Sequence, residues 1–521
     1  MAPLRTRRLV TAARKATTSR AWPREFERAY EEGRFRRASE IYDSNAGPFE
    51  RAETVLRASK AHMHADPSSA LRLLINLRLP ANKRVERVHR DALLTEAFAR
   101  TRDFESADER LQDALQMARK LSDGDLLTMV GYRAVRRHLH AEDPSGARKY
   151  LDLTRSGKSA SARVYAAYAE TLILPYEERV QEQSERLIEL LRSLDPNRSE
   201  FVEIRAWSTH TLAALARELY IPPAIPEIDR QLSGIPWPDD FAANLFQALR
   251  GLGWAKALQG DYFNAFRHLK RASEVTDTTA WKVVAACDRS YLARSFGEHR
   301  WSRVELDEAE ELGAQVDWHA TLAEERIGLL QLAELFGSLD TARSAMYLAR
   351  YRELGEIKSP LYYRHDARRA AYAQYSTGVV ELALGNKKRG LTELREARKI
   401  FERFGYDFRV ARCLADEFKA TGNADLLSPI EEKLRNYQQS WLVAELRAAI
   451  GAPKSTTLPP MQQRVFDELC RGKATSEIAR SLGRSEWTIS NHIKEIFKAF
   501  SVKSRSALLV EAVRRGLVKV S

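Results

Sequence analysis

The chain has 521 residues, 44% of them hydrophobic, and its 84 Lys and Arg outweigh 71 Asp and Glu for a formal net charge of +13. The length sets a prior of about three domains, fewer if part of it is a repeat array, and the apolar content excludes wholesale disorder. No run approaches the about 18 apolar residues of a membrane-spanning helix, and Cys287, Cys413 and Cys470 are too scattered for a disulfide framework or a cysteine zinc cluster.

The charge is uneven along the chain. Residues 1–24 hold seven basic and no acidic residues, residues 458–521 hold twelve basic and six acidic, and the rest carries 65 of each. A neutral body with two basic ends is the pattern expected when particular segments meet a polyanion. Residues 1–24 read as a basic start to the first helix. They share an Arg-rich, acid-free composition with organellar transit peptides but lack the apolar core of a secretory signal.

Residues 25–450 read as helix almost throughout. Ala, Leu, Arg and Glu dominate, and apolar residues recur at three- and four-residue spacing. A motif repeats within this region: a large apolar residue, then Ala, a second large residue and Ala, at spacings of three, four and three. It occurs at Phe104, Ala107, Leu111 and Ala114, at Tyr262, Ala265, Leu269 and Ala272, and at Leu339, Ala342, Met346 and Ala349. Degenerate copies hold Phe35, Ala38 and Tyr42, and Gly390, Leu394 and Ala397. Gly253 precedes Ala265, and Gly378 precedes Gly390, by twelve residues. Small residues at a crossing point let two antiparallel helices approach closely. The pattern resembles the tetratricopeptide repeat, although its copies lie about 40 residues or a multiple of 40 apart rather than about 34. It implies an all-α, helical-hairpin solenoid of roughly ten degenerate helix pairs.

Within that region, Ser156-Gly157-Lys158-Ser159 looks like the end of a phosphate-binding loop. The full motif needs a glycine five residues before Gly157, where the chain has Asp152, and a strand before the loop, where it has the helical stretch Ala147–Thr154. Nucleotide binding is not expected there. His62 and His64, and His138 and His140, are two apart and point away from each other on a helix, so neither pair shares a metal. No nucleophile-elbow or zinc-protease motif occurs. The expectation is a non-enzyme with no cofactor and no metal. Pro222, Pro223, Pro226, Pro236 and Pro238 make residues 220–240 a candidate hinge between two halves of the array.

Residues 451–457 are polar and turn-prone and read as a linker. Four short helices follow: about Pro460–Arg471, about Thr475–Leu482, one from after Ser485 to about Phe500, and about Arg505–Arg515. Two helices joined by a tight turn at Gly483, the second of them basic, describe a helix-turn-helix. On that second helix Ile489, Ile493, Ile496 and Phe500 form one stripe. Trp487, Asn491, Lys494 and Lys498 face the other way, with Ser490 beside them.

Residues 458–517 resemble the LuxR/GerE-type helix-turn-helix domain. Leu458, Pro460, Val465, Gly472, Glu477-Ile478-Ala479, Leu482, Ser485, Thr488-Ile489, Asn491-His492, Ile496, Val502, Ser504-Arg505, Ala512 and Gly516-Leu517 match in order and at family spacing. The resemblance implies that Ser490, Asn491 and Lys494 face bases in the major groove, and that Thr488 and His492 contact or buttress the phosphate backbone. Trp487, Lys498 and Arg505 complete the expected DNA-facing set. It also implies a homodimer contact through about Ala507–Arg515. Where the family usually carries Lys, this chain has Ser490 and Ala499, and two acidic positions of the first helix hold Gln462 and Arg464. Those departures weaken phosphate and base contacts, partly offset by Arg464, Lys494 and Lys498.

These readings converge on a sequence-specific regulator of transcription in the bacterial cytoplasm, associated with the nucleoid. Double-stranded DNA is its expected partner, with a protein or peptide on the helical repeats and no membrane. The alternative is a protein-interaction scaffold whose helix-turn-helix no longer reads DNA, favoured by Ser490, Ala499 and Trp487.

Overall fold

In the computed structural model residues 22–514 are described, apart from 47–49, 196–197, 199–200, 234–236, 322–324, 355–366, 450–457 and 501. The linker at 451–457 and most of the basic start therefore lie outside the described residues. Among those described, every regular element is a helix. None is long and apolar enough to cross a membrane.

The chain divides into two compact units, residues 1–209 with 233–244 and 358–365, and residues 210–232 with 245–357 and 366–521. The first contains α1 (Trp22–Glu31), α2 (Phe35–Asn45), α3 (Ala52–Ala65), α4 (Pro67–Asn76), α5 (Arg84–Thr101), α6 (Phe104–Leu121), α7 (Gly124–His140), α8 (Pro144–Lys149), α9 (Leu151–Thr154), α10 (Ala160–Ile173), α11 (Val180–Ser193) and the start of α12 (Val202–Glu218). The second takes up the rest of α12, then α13 (Ala224–Ser233), most of α14 (Ala242–Leu258), α15 (Tyr262–Glu274), α16 (Thr279–Ser295), α17 (His299–Ala314), α18 (Ile327–Phe336) and α19 (Thr341–Glu353). It continues with α20 (Ala367–Ala383), α21 (Lys387–Arg403), α22 (Asp407–Thr421), α23 (Leu427–Lys433) and α24 (Trp441–Ala449). Its last four helices are α25 (Pro460–Cys470), α26 (Thr475–Leu482), α27 (Glu486–Phe500) and α28 (Arg505–Arg514).

Consecutive helices pair as hairpins through short turns. At α14/α15 the turn holds Gly260 at φ +78°, and Asp261 caps α15 by accepting from the Asn264 amide at 3.4 Å. At α5/α6 the non-glycine Arg102 takes the left-handed conformation instead, at φ 67°, and Asp103 accepts from the Ser106 amide at 3.1 Å. The helix crossings confirm the need for small residues. A Cβ on Gly378 would lie 2.9 Å from Leu394 Cγ and 3.0 Å from the Gly390 carbonyl oxygen, and one on Gly390 would lie 2.9 Å from the Gly378 carbonyl oxygen. One on Gly253 would meet Leu269 at 3.0 Å and the Ala265 carbonyl oxygen at 3.1 Å. Ala107, Leu111, Ala114, Ala265, Leu269, Ala272, Ala38, Leu394 and Ala397 are all buried, as the repeat pattern requires.

One copy is in a different register. Leu339 and Met346 are 57% and 51% exposed, while α19 buries Ser344, Tyr347 and Leu348. The small residue at this crossing is Ser344, whose hydroxyl donates to the Ala333 carbonyl at 2.7 Å. Two residues along a helix is about 200° of rotation, so Leu339, Ala342, Met346 and Ala349 fall on the outer face. Pro226 sits in the first turn of α13, where a missing N–H costs nothing because that turn has no intrahelical acceptor for it. Pro236 lies outside the described residues.

The Ser156–Ser159 loop is a structural joint. Gly157 N donates to Thr128 Oγ1 at 2.8 Å, and the amides of Lys158 and Ser159 donate to Asp125 Oδ1 at 3.0 and 3.3 Å. Ser159 caps α10 through the Ala162 amide at 3.0 Å. A carboxylate of the chain itself occupies the amide cradle that a phosphate would need. His138 Nδ1 lies 2.9 Å from Asp143 and His62 Nε2 lies 3.0 Å from Asp43, so these rings have carboxylate partners. No cluster with metal-binding composition occurs among the described residues.

Replacing Gly390 by Val is expected to destabilise the protein by about 1–3 kcal/mol, because the Gly378 carbonyl oxygen blocks the added side chain even if the Leu382 side chain shifts away. Leu339→Ala should change stability by less than about 0.5 kcal/mol. Denaturant unfolding of both variants checks the register; a larger loss in Leu339→Ala than in Gly390→Val would contradict it.

Candidate nucleic-acid interface

The four C-terminal helices form their own apolar centre. Val465, Phe466 and Leu469 of α25 meet Ile478 and Ala479 of α26, the stripe Ile489, Ile493, Ile496 and Phe500 of α27, and Leu508 and Ala512 of α28. Phe466 and Phe500 stack with centroids 5.0 Å apart and planes 12° from parallel. Each buried Ile or Phe contributes about 1.5–3 kcal/mol of transfer free energy. That is ample to fix the rotation of α27 about its own axis, so its other face is fixed as well.

The turn into α27 is defined by two devices. Gly483 adopts φ +62° with nothing within 4 Å of where a Cβ would sit, so backbone conformation alone demands glycine there. Ser485 then caps α27, its Oγ accepting from the Thr488 amide at 3.1 Å and lying 2.8 Å from Thr488 Oγ1. At the start of α26 the Glu477 carboxylate accepts from the Ala474 amide at 2.7 Å. Helix ends that carry their own caps hold the two helices at a set angle without outside help.

The outward face of α27 holds the expected side chains. Trp487 is 75% exposed, unusual for so large an apolar group. Lys494 and Lys498 are exposed, and Thr488, Ser490, Asn491 and His492 are half-buried along the same helix. Ala499, where a lysine is usual, is exposed too. Arg480 and Arg484, not singled out by sequence reasoning, are exposed at the end of α26 and in the turn before α27. Their position two residues either side of Leu482, at the turn, was the available signal.

Arg505 has a different task. Its guanidinium donates to the Lys473 carbonyl at 2.9 Å and to Thr475 Oγ1, tying the start of α28 to the loop before α26. The Arg471 and Lys473 side chains both pair with Glu468, the former at 2.6 Å. On α28, Ala507, Leu508, Glu511 and Ala512 are buried. Part of that burial comes from α15, which packs against α28. Burial raises the pKa of the Tyr262 phenol, and the Glu511 carboxylate raises it further.

A cap-defined turn, a sealed apolar stripe and a polar, basic outward face define a helix-turn-helix domain of the kind that places its second helix in a DNA major groove. The family described as bacterial regulatory proteins, luxR family, matches residues 456–512. The spore germination protein GerE of Bacillus subtilis strain 168 is 41% identical over 59 residues, which are 11% of this chain and 80% of GerE. The chain belongs to the LuxR family of bacterial regulatory proteins through this C-terminal domain. Among solved structures, the Rap protein complexed with Competence and Sporulation Factor shares 12% identity and a TM-score of 0.43, over 70% of this chain and 99% of that one. The Cut9–Hcn1 hetero-tetramer of APC/C shares 12% identity and a TM-score of 0.25, over 86% of this chain and 96% of that one.

Arg505→Met should lower the stability of the C-terminal domain by about 1–3 kcal/mol, since it leaves a backbone carbonyl and a hydroxyl without their donor. Lys498→Met should change it by less than about 0.5 kcal/mol. Chemical denaturation followed by circular dichroism separates the two roles; equal small effects would contradict the framework role of Arg505.

Proposed function

We propose that the chain is a sequence-specific, DNA-binding regulator of transcription whose α27 lies in the major groove of double-stranded DNA. The observation that carries this reading is the division of α27 into a sealed stripe and an outward polar face, within a domain of the LuxR family. Asn491 pairs bidentately with adenine, Lys494 donates to guanine, and Ser490 serves either base edge. Thr488 and His492 contact the phosphate backbone, Lys498 neutralises it, and Trp487 packs on a thymine methyl or sugar at the groove entry. Arg480 and Arg484 add phosphate contacts beside the turn. Arg505 acts here by tying α28 to the loop before α26.

In this reading two copies pair through α28 on adjacent half-sites, and the helical repeats act as sensor or platform for a protein or peptide in the bacterial cytoplasm. The packing of α15 against α28, with Tyr262 beside Glu511, supports a coupling between the two. A dimer through the part of α28 that α15 touches competes with that packing, so whatever binds the repeats can bias DNA binding. The exposed Trp487 favours a second reading, a scaffold that uses this surface for protein contact.

The salt dependence of binding to duplex DNA tests these readings. A DNA-reading α27 predicts a steep fall in affinity with salt, a slope reduced by about 1 for Lys498→Ala, and a loss of about 1–3 kcal/mol with relaxed specificity for Lys494→Ala. A shallow slope unchanged by either variant favours the scaffold. Coupling predicts that fragment 451–521 and the full chain differ in DNA affinity by about tenfold or more; equal affinity with and without cell extract contradicts it.

A further inference from the structure

The second unit holds a partly open cavity of about 80 Å3 that neither the helix-turn-helix nor the repeat packing explains. A single water needs only about 10–15 Å3 of such space. Four arginines reach its wall: Arg217, Arg250, Arg409 and Arg412. Three of them are committed to carboxylates. Arg409 donates to Glu218 at 2.7 and 3.1 Å, and Arg217 donates to the same group. Burial raises the pKa of Glu218, but Arg409 and Arg217 outweigh it and hold the carboxyl at about 2. Arg250 pairs with Asp288, which also accepts from Gln331 Nε2 at 2.7 Å.

Arg412 is the exception. Its guanidinium donates to the Tyr291 hydroxyl and lies 5.0 and 4.8 Å from the ring centres of Tyr291 and Tyr375, with no ion pair among the described residues. The nearest acidic groups are otherwise occupied. Asp416 accepts from Tyr375 at 2.7 Å and Lys419 at 3.2 Å, and Glu334 accepts from Ser376. A guanidinium has five N–H donors in a planar fork that matches a carboxylate. Here two aromatic rings hold that fork in place while most of its donors go unused.

Two acceptors complement it on α18, three residues apart and therefore on one helix face. Gln331 Oε1 is buried and has no hydrogen-bond partner. The Glu334 carboxyl shares the same cavity wall, and burial raises its pKa against the lowering influence of Arg412. An aromatic triangle forms the remaining side: Trp254 lies 5.6 Å from Trp441 and 5.7 Å from Tyr291, and Tyr291 lies 6.2 Å from Trp441. Tyr291 belongs to both the arginine clamp and this triangle, so the two are adjacent.

We propose that this cavity is a binding site for an apolar α-amino acid unit: its carboxylate pairs with Arg412, its amine or amide N–H donates to Gln331 Oε1 and Glu334, and its side chain lies on the aromatic triangle. The unit is either a free amino acid or the carboxyl end of a short peptide. Each wall of the cavity supplies what one part of such a ligand needs and lacks when alone. The proposal deepens the sensing role given above to the helical repeats, and it is tested without DNA so that the two can fail separately.

The probes are free L-leucine and L-phenylalanine, a mixture of random tetrapeptides as free acids, and the same mixture as carboxyl-terminal amides. Thermal unfolding of the full chain is followed at millimolar probe. A free-acid probe should raise Tm by about 2 °C or more, the amides should not, and Arg412→Met should abolish the rise. Which free acid works identifies the source. Gln331→Leu, which leaves every arginine in place, should weaken the response about tenfold if Arg412→Met does not fold. The proposal is overturned if no free acid shifts Tm, if acids and amides shift it equally, or if a folded Arg412→Met, or Gln331→Leu in its stead, responds like the parent.

Discussion

Four side chains on α27, Ile489, Ile493, Ile496 and Phe500, are sealed against α25, α26 and α28. Because a helix turns by about 100° per residue, burying those four decides which residues point outward. Trp487, Asn491, Lys494 and Lys498 face away from the domain because of that seal, not through any bond of their own. The caps at Gly483 and Ser485 set where the helix begins, and Arg505 ties α28 to the loop before α26. A surface meant to read a groove depends on such rigidity, since a base contact tolerates little rotation of the helix that carries it.

The helical body solves a different problem with the same physics. It buries many arginines, and most of those in its interior are neutralised in small knots. Glu96 accepts from Arg100 at 2.7 Å and lies 3.0 Å from Arg136, with Arg133 also in contact. Glu218 and Asp288 serve the same purpose in the second unit. Breaking such a group leaves an uncompensated buried charge at a cost of about 3–5 kcal/mol. Against that background Arg412, clamped by two tyrosines, is a departure from the body's own rule.

The sequence revealed most of what short-range periodicity controls. Helix boundaries in the C-terminal domain agree with the structure to within a residue, since Pro460, Gly472, Gly483 and Ser485 mark ends by local backbone chemistry. The repeat register was legible where a glycine marked the crossing, as at Gly253 and Gly378. It misled at Leu339–Ala349, because Ser344 fills the small-residue role and a search for alanine passes over it. The cavity around Arg412 was not legible at all: α16, α18, α20 and α22 bring its key residues together from positions spread over more than a hundred residues, and no local spacing encodes that.

The most direct test of the central claim is selection of bound fragments from random genomic DNA by the purified full-length protein, with the Asn491→Ala/Lys494→Ala double variant run in parallel. A DNA-reading α27 predicts recovery of one shared motif, with paired half-sites whose spacing reports the dimer, and loss of that motif in the double variant. Recovery of no motif, or of the same motif by the double variant, contradicts it.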